Sequence, residues 1–155
     1  MNPAFSIIFF TTLAGAAQGL VCALAIATLF EVALPPPFRL MALAVAFCLL
    51  AVSLTASFFH LGHPLRAWRA AAMWRTSWMS REVIVLPVFM AAVAAWGLHD
   101  ALGLGIVPAA AWAVLSIGLA LLLWYCTAMI YACLRFVQEW AHPITVVNYT
   151  LIGLA

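Results

Sequence analysis

The chain has 155 residues, of which 69 % are hydrophobic and 6 % charged, and its mean hydropathy is +1.21. A soluble domain of this size runs about half apolar and about a quarter charged, because it must present a surface that water tolerates. That surface is missing here, which excludes a soluble globular domain, a disordered chain, a collagen and a small disulfide scaffold. Six arginines, no lysine and four acids leave a net charge of +2, too small for a nucleic-acid binder.

Lipid-facing backbone must close its own hydrogen bonds as a helix or a barrel, and the period-two alternation of a barrel is absent. The expected fold is therefore an all-α integral membrane protein, a single transmembrane domain over 1–155 built from four transmembrane helices plus part of a fifth. The first apolar run, 5–30, is uncharged and long enough to exceed a hydrocarbon core of about 30 Å. No basic segment and no small-residue cleavage site accompany it, so it is expected to be retained rather than removed as a signal peptide. Within it Gly15 and Gly19 form a GxxxG pair suited to close helix packing, and Gln18 near mid-span needs a hydrogen-bond partner. A neighbouring helix is the default partner and a ligand oxygen the alternative.

Glu31 and the Pro35-Pro36-Pro37 run end that span, and a second follows over 38–60. The stretch 61–81 then changes texture, with four arginines interleaved with Trp68, Trp74 and Trp78, which is the chemistry of a loop lying at the membrane interface. Ser80 is expected to cap the third helix, 82–98, with Glu82 in its first turn complementing the positive helix end. His99, Asp100, Gly103 and Gly105 form the next turn. The fourth helix, 105–140, is longer than a membrane needs and is expected to tilt or to project beyond the hydrocarbon. Pro143 ends it, and 144–155 supplies only part of a fifth span, completed by further chain or by a partner.

Cys22, Cys48, Cys126 and Cys133 lie inside apolar runs with no CxxC pair, so they read as core residues and no metal site is expected. Arg66, Arg69, Arg75, Arg81 and Arg135 fall on one surface and Arg39 alone on the other. The positive-inside rule puts the five-arginine side, and with it the amino terminus, in the cytoplasm of a multi-pass inner-membrane protein.

Two candidate polar sites follow from spacing. His60 ends the second helix beside the Gly62 and Pro64 break, and an imidazole there exchanges protons near neutral pH as quinone reduction requires; a headgroup-level helix-ending histidine is the bland alternative. Tyr131, Arg135, Gln138 and His142, spaced four, three and four apart, form one helical stripe, suited either to a quinone headgroup or to interfacial anchoring. A two-haem ladder is poorly supported, because His99 is expected on the surface opposite His60, His63 and His142; a single haem between His60 and His142 stays open.

The run His60-Leu61-Gly62-His63-Pro64-Leu65-Arg66-Ala67, followed by Thr76-Ser77-Trp78-Met79-Ser80-Arg81-Glu82, resembles the membrane anchor subunit of the dimethyl sulfoxide reductase family. Met129-Ile130-Tyr131 and Trp140, Pro143, Ile144 and Thr145 are similar to the family's connection between the fourth and fifth helices. His63 and Phe136-Val137-Gln138 are nearer its sulfite-dehydrogenase-type anchors. Such anchors have eight spanning helices, so the chain looks like the amino-terminal part of one. The resemblance implies a subunit that holds a molybdopterin catalytic subunit and an iron–sulfur subunit at the membrane and passes electrons between the quinone pool (menaquinone or ubiquinone) and the nearest cluster. It implies no haem and a quinone-site histidine at His60; the Tyr131, Arg135 and Gln138 stripe, read from spacing, is expected to line the same headgroup site, and Arg66, Arg69, Arg75 and Arg81 suit docking of the cluster subunit. Two other classes remain: a structural membrane subunit without a redox role, and a haem b electron carrier.

Overall fold

The computed structural model describes residues 5–58, 68–133 and 143–154. Among them every element is helical and there is no strand: α1 (Phe5–Leu29), α2 (Pro36–Phe58), α3 (Trp68–Ala71), α4 (Trp78–Leu102), α5 (Ala109–Ala132) and α6 (Pro143–Leu154). Four of these, α1, α2, α4 and α5, are long and apolar enough to cross a membrane. They close a ring in which α1 packs on α2 and α5, and α4 on the same two helices; α6 lies against α5 and α1.

The helix ends follow local chemistry. Helix α1 stops in a six-to-one turn: the Val32 amide reaches the Ala27 carbonyl at 2.9 Å and the Glu31 amide reaches Thr28 at 3.2 Å. Glu31 holds the left-handed position of that turn at φ 55°. Helix α2 begins at Pro36, two residues earlier than the expected 38, because proline fits the first turn, where its missing N–H would have no partner.

Helix α4 differs most from the sequence expectation of 82–98, running from Trp78 to Leu102 straight through Pro87. The cap is Ser77, not Ser80: its extended backbone (φ −117°, ψ 125°) turns the hydroxyl to accept from the Ser80 amide at 3.4 Å. Polar and aromatic residues that read as loop therefore form the first turn, and His99 and Asp100 the last, with Gly103 closing the helix at φ 57°. Helix α5 starts at Ala109 rather than 105, because Gly105 is left-handed and Pro108 caps the helix. It closes at Cys133, whose amide bonds to Met129; the expected continuation to 140 lies outside the described residues. The surface stretch 68–77 contributes one helical turn, α3, and then turns into α4.

The core is assembled from small and large side chains that let helices approach. Ala17, Val21 and Leu24 on α1, Ala42, Leu43 and Ala46 on α2, Phe89 and Trp96 on α4, and Ala120 and Leu123 on α5 belong to one buried cluster. A side chain on Gly97 would meet Leu43 at 3.8 Å, so α2 and α4 are close there. Large apolar side chains such as Val52, Val88, Leu121 and Leu122 are left facing out, as lipid requires.

At the end of the bundle away from the arginine-rich stretch, Arg39 at the start of α2 forms an ion pair with Asp100 at the end of α4. His99 Nδ1 lies 3.5 Å from the other Asp100 oxygen, and its ring sits 5.9 Å from that of Trp112 on α5. This cluster ties three helices together. Arg39→Ala is expected to lower stability by about 1–3 kcal/mol, since it strands a largely buried carboxylate, and adding Asp100→Asn should restore part of the loss. Thermal unfolding of both variants in detergent checks this.

Candidate functional site

The arginine-rich surface is organised by Arg81. Its Nε donates to the Trp74 carbonyl at 2.9 Å and its Nη2 to the Arg75 carbonyl at 3.1 Å. The guanidinium also lies 4.0 Å from the centre of the Trp78 ring, which meets Tyr125 of α5 edge-on at 5.3 Å. Arg81 thus folds the 73–77 turn back onto α4 and links it through Trp78 to α5. Arg75 stacks on its neighbour Trp74 at 5.3 Å and, like Arg69, is exposed. Of the four expected docking residues, Arg69 and Arg75 present free surface, Arg81 is engaged within the chain, and Arg66 lies outside the described residues.

Directly inward from this surface, α1, α4 and α5 enclose a cavity of about 450 Å³. Its polar residues include Gln18, Glu82 and Thr127, set among Phe10, Leu123 and Trp124. Depth follows from helix rise. Glu82 stands four residues into α4, about 6 Å along the axis, and Gln18 thirteen residues into α1, about 20 Å. The cavity therefore runs from just below the arginine surface towards mid-membrane.

Glu82 is 8 % exposed, and the Thr127 hydroxyl lies 2.7 Å from its Oε1 and 3.0 Å from the Leu123 carbonyl. A hydroxyl brings one proton to two acceptors, so both contacts are full hydrogen bonds only when the carboxyl brings a second. Gln18 is 3 % exposed, and its Oε1 has no hydrogen-bond partner among the described residues; the Trp124 indole N–H is likewise buried and unpartnered among them. Gly15 corrects the packing expectation: a side chain there would meet nothing within 4 Å, because Gly15 lines the cavity instead of pressing on a helix.

Among the expected quinone-site residues the structure describes Tyr131, one helical turn beyond Thr127 towards the arginine surface. His60, Arg135 and Gln138 lie outside the described residues, as do His63 and His142. Sequence reasoning placed Glu82 at a helix end and missed its burial. The usable signal was an acid at the head of an apolar run, which in a spanning helix marks a functional position.

A family model described as "DMSO reductase anchor subunit (DmsC)" matches residues 1–155. The chain belongs to the DMSO reductase anchor subunit family. It is 50 % identical over 171 aligned positions to a sulfite dehydrogenase subunit of Allochromatium vinosum, covering 100 % of this chain and 53 % of that protein. The chain thus spans about half the length of the curated relative it matches. No solved structure matches it.

Arg81→Ala should release the 73–77 turn while leaving the four-helix ring intact. The expected outcome is several-fold faster tryptic cleavage after Arg75 in the purified chain, with unchanged helical content by circular dichroism.

Proposed function

We propose that this chain is the quinone-interacting membrane anchor of a molybdopterin oxidoreductase complex, passing electrons between the quinone pool and an iron–sulfur subunit docked on the arginine surface. The observation that carries the reading is the α1–α4–α5 cavity, a space lined by the buried Glu82, by Thr127, and by Gln18 and Trp124, beginning directly under that surface. Pockets for small ligands are mostly apolar with a few convergent polar groups, which matches its lining.

A bound quinone would supply two-electron, two-proton chemistry at two ring oxygens. The residues suited to hold its headgroup are Gln18 and Trp124 in the inner part of the cavity, with Glu82 and Thr127 nearer the surface. Glu82 holds a proton at its carboxyl oxygens and exchanges it with the headgroup, while the Thr127 hydroxyl beside it donates to the Leu123 carbonyl when the carboxyl is protonated. Tyr131, one helical turn beyond Thr127, continues this polar route towards the surface; with it we assign Arg135 and Gln138 to the headgroup and proton exchange to the His60 imidazole.

Arg69 and Arg75 present planar guanidinium groups to the cluster subunit, with Arg66 beside them in sequence and Arg81 holding the turn that displays Arg75. The name of the relative makes sulfite the proposed donor to the whole complex. Electrons would then flow from the cluster subunit to quinone, and the residues around Glu82 would supply protons. The surplus of arginine on this side favours a cytoplasmic placement for it and for the amino terminus, within the inner membrane.

His60→Ala tests the reading in membranes carrying the intact complex. Quinone-linked turnover is expected to fall by about 10²-fold with the partner subunits still bound. Unchanged turnover would remove His60 from the site and favour an anchor without a redox role.

A further inference from the structure

The cavity is closed on one side and open on another. Glu82 and Leu86 of α4 and Leu123 and Trp124 of α5 are buried, and Thr127 is half-buried. Its exposed lining residues are Thr12 and Ala16, both on α1. An alanine side chain is a single carbon, so an alanine that both lines the cavity and is exposed stands at the cavity's edge. Gly15 lies between the two, and a side chain there would meet nothing within 4 Å. Space therefore continues from the buried Glu82 past Gly15 to the outer flank of α1.

The opening faces acyl chains and not lipid headgroups. Thr12 and Ala16 stand seven and eleven residues into α1, roughly 10 and 16 Å along its axis, inside a hydrocarbon layer about 30 Å thick. Small side chains are what leave it open: one turn earlier the same flank carries Ile8 and Phe9, both large and exposed. A second groove, between Ser6, Phe9 and Leu13 of α1 and Val52, Thr55 and Ala56 of α2, shares no lining residue with the cavity and so gives no passage to Glu82.

Size decides what the opening is for. A cavity of about 450 Å³ is near the lower end of the volumes that enclose small ligands, enough for an aromatic headgroup. A membrane quinone also carries a polyprenyl chain, and the cavity has no room for several isoprene units beside a ring. Such a chain is apolar throughout and belongs in hydrocarbon, away from Glu82 and Thr127. Resting on the quinone reading above, we propose that Thr12, Gly15 and Ala16 form a lateral portal through which the polyprenyl tail of the bound quinone runs from the cavity into the bilayer. These residues select for the tail and touch no reacting atom. Quinone and quinol then trade with the membrane pool sideways, which leaves the arginine surface to the docked subunit.

Equilibrium binding to the purified complex in lipid nanodiscs tests the portal with two probes: a benzoquinone bearing a geranylgeranyl tail, and the same ring with a methyl group in place of the tail. Thr12→Phe and Ala16→Phe each put an aromatic ring in the portal, and Ala23→Phe, on the same exposed flank beyond the cavity, is the control. Both portal variants are expected to weaken the tailed quinone about tenfold and the tail-less one less than threefold, with partner subunits still bound, while Ala23→Phe changes neither. Unchanged affinity for the tailed quinone in both portal variants overturns the inference and leaves the quinone reading standing. Equal loss of the two probes overturns it as well, because the substituted positions then belong to the headgroup site. Loss of the partner subunits or aggregation of the anchor in both portal variants overturns it in favour of a helix contact on this flank. Absence of binding of either probe to the wild-type complex overturns both the portal and the quinone reading.

Discussion

The controlling constraint is that a helix bundle in lipid has no polar exterior on which to keep its polar side chains. Gln18, Glu82 and Thr127 each belong to a helix whose other residues are nearly all apolar, and the hydrocarbon would impose a large penalty on any of them turned outward. They are turned inward instead. The three helices leave a cavity lined by these polar residues and by Gly15.

That constraint also explains the contrast between the two ends of the bundle. Away from the arginine surface, Arg39, Asp100 and His99 draw α2, α4 and α5 together, and the small residues of the core allow close approach. Towards the arginine surface the cavity lies between α1, α4 and α5, and side chains join the helices at its rim. Arg81 fixes the turn before α4, Trp78 packs on Tyr125, and the Thr127 hydroxyl joins α5 to Glu82. One end is a clamp of paired charges and the other holds the cavity.

Much of this architecture was legible in the sequence. Unbroken apolar runs defined α1 and α2, because hydrocarbon thickness sets their length and proline their ends. The start of α4 was misread for a physical reason: Trp78, Ser80 and Arg81 have interfacial chemistry, and a helix that projects into the headgroup layer carries such residues in its first turn. The site was legible only in part. Gln18 announced itself as a polar residue in mid-span, but Gly15 suggested a packing seam, since spacing along one helix cannot say whether a neighbour or a void lies opposite. Glu82 and Thr127, 45 residues apart, become partners only once α4 and α5 are antiparallel neighbours.

The most direct test of the central claim is photolabelling of the intact complex in native membranes with an azido-quinone, followed by mapping of the labelled peptides. A quinone headgroup held in the α1–α4–α5 cavity predicts labels on the α1 segment around Phe10 to Gln18 and on α4 or α5 near Glu82 and Trp124, suppressed by excess unlabelled quinol. Labels confined to the outer face of α2, or to the Arg39 and Asp100 end, would contradict it.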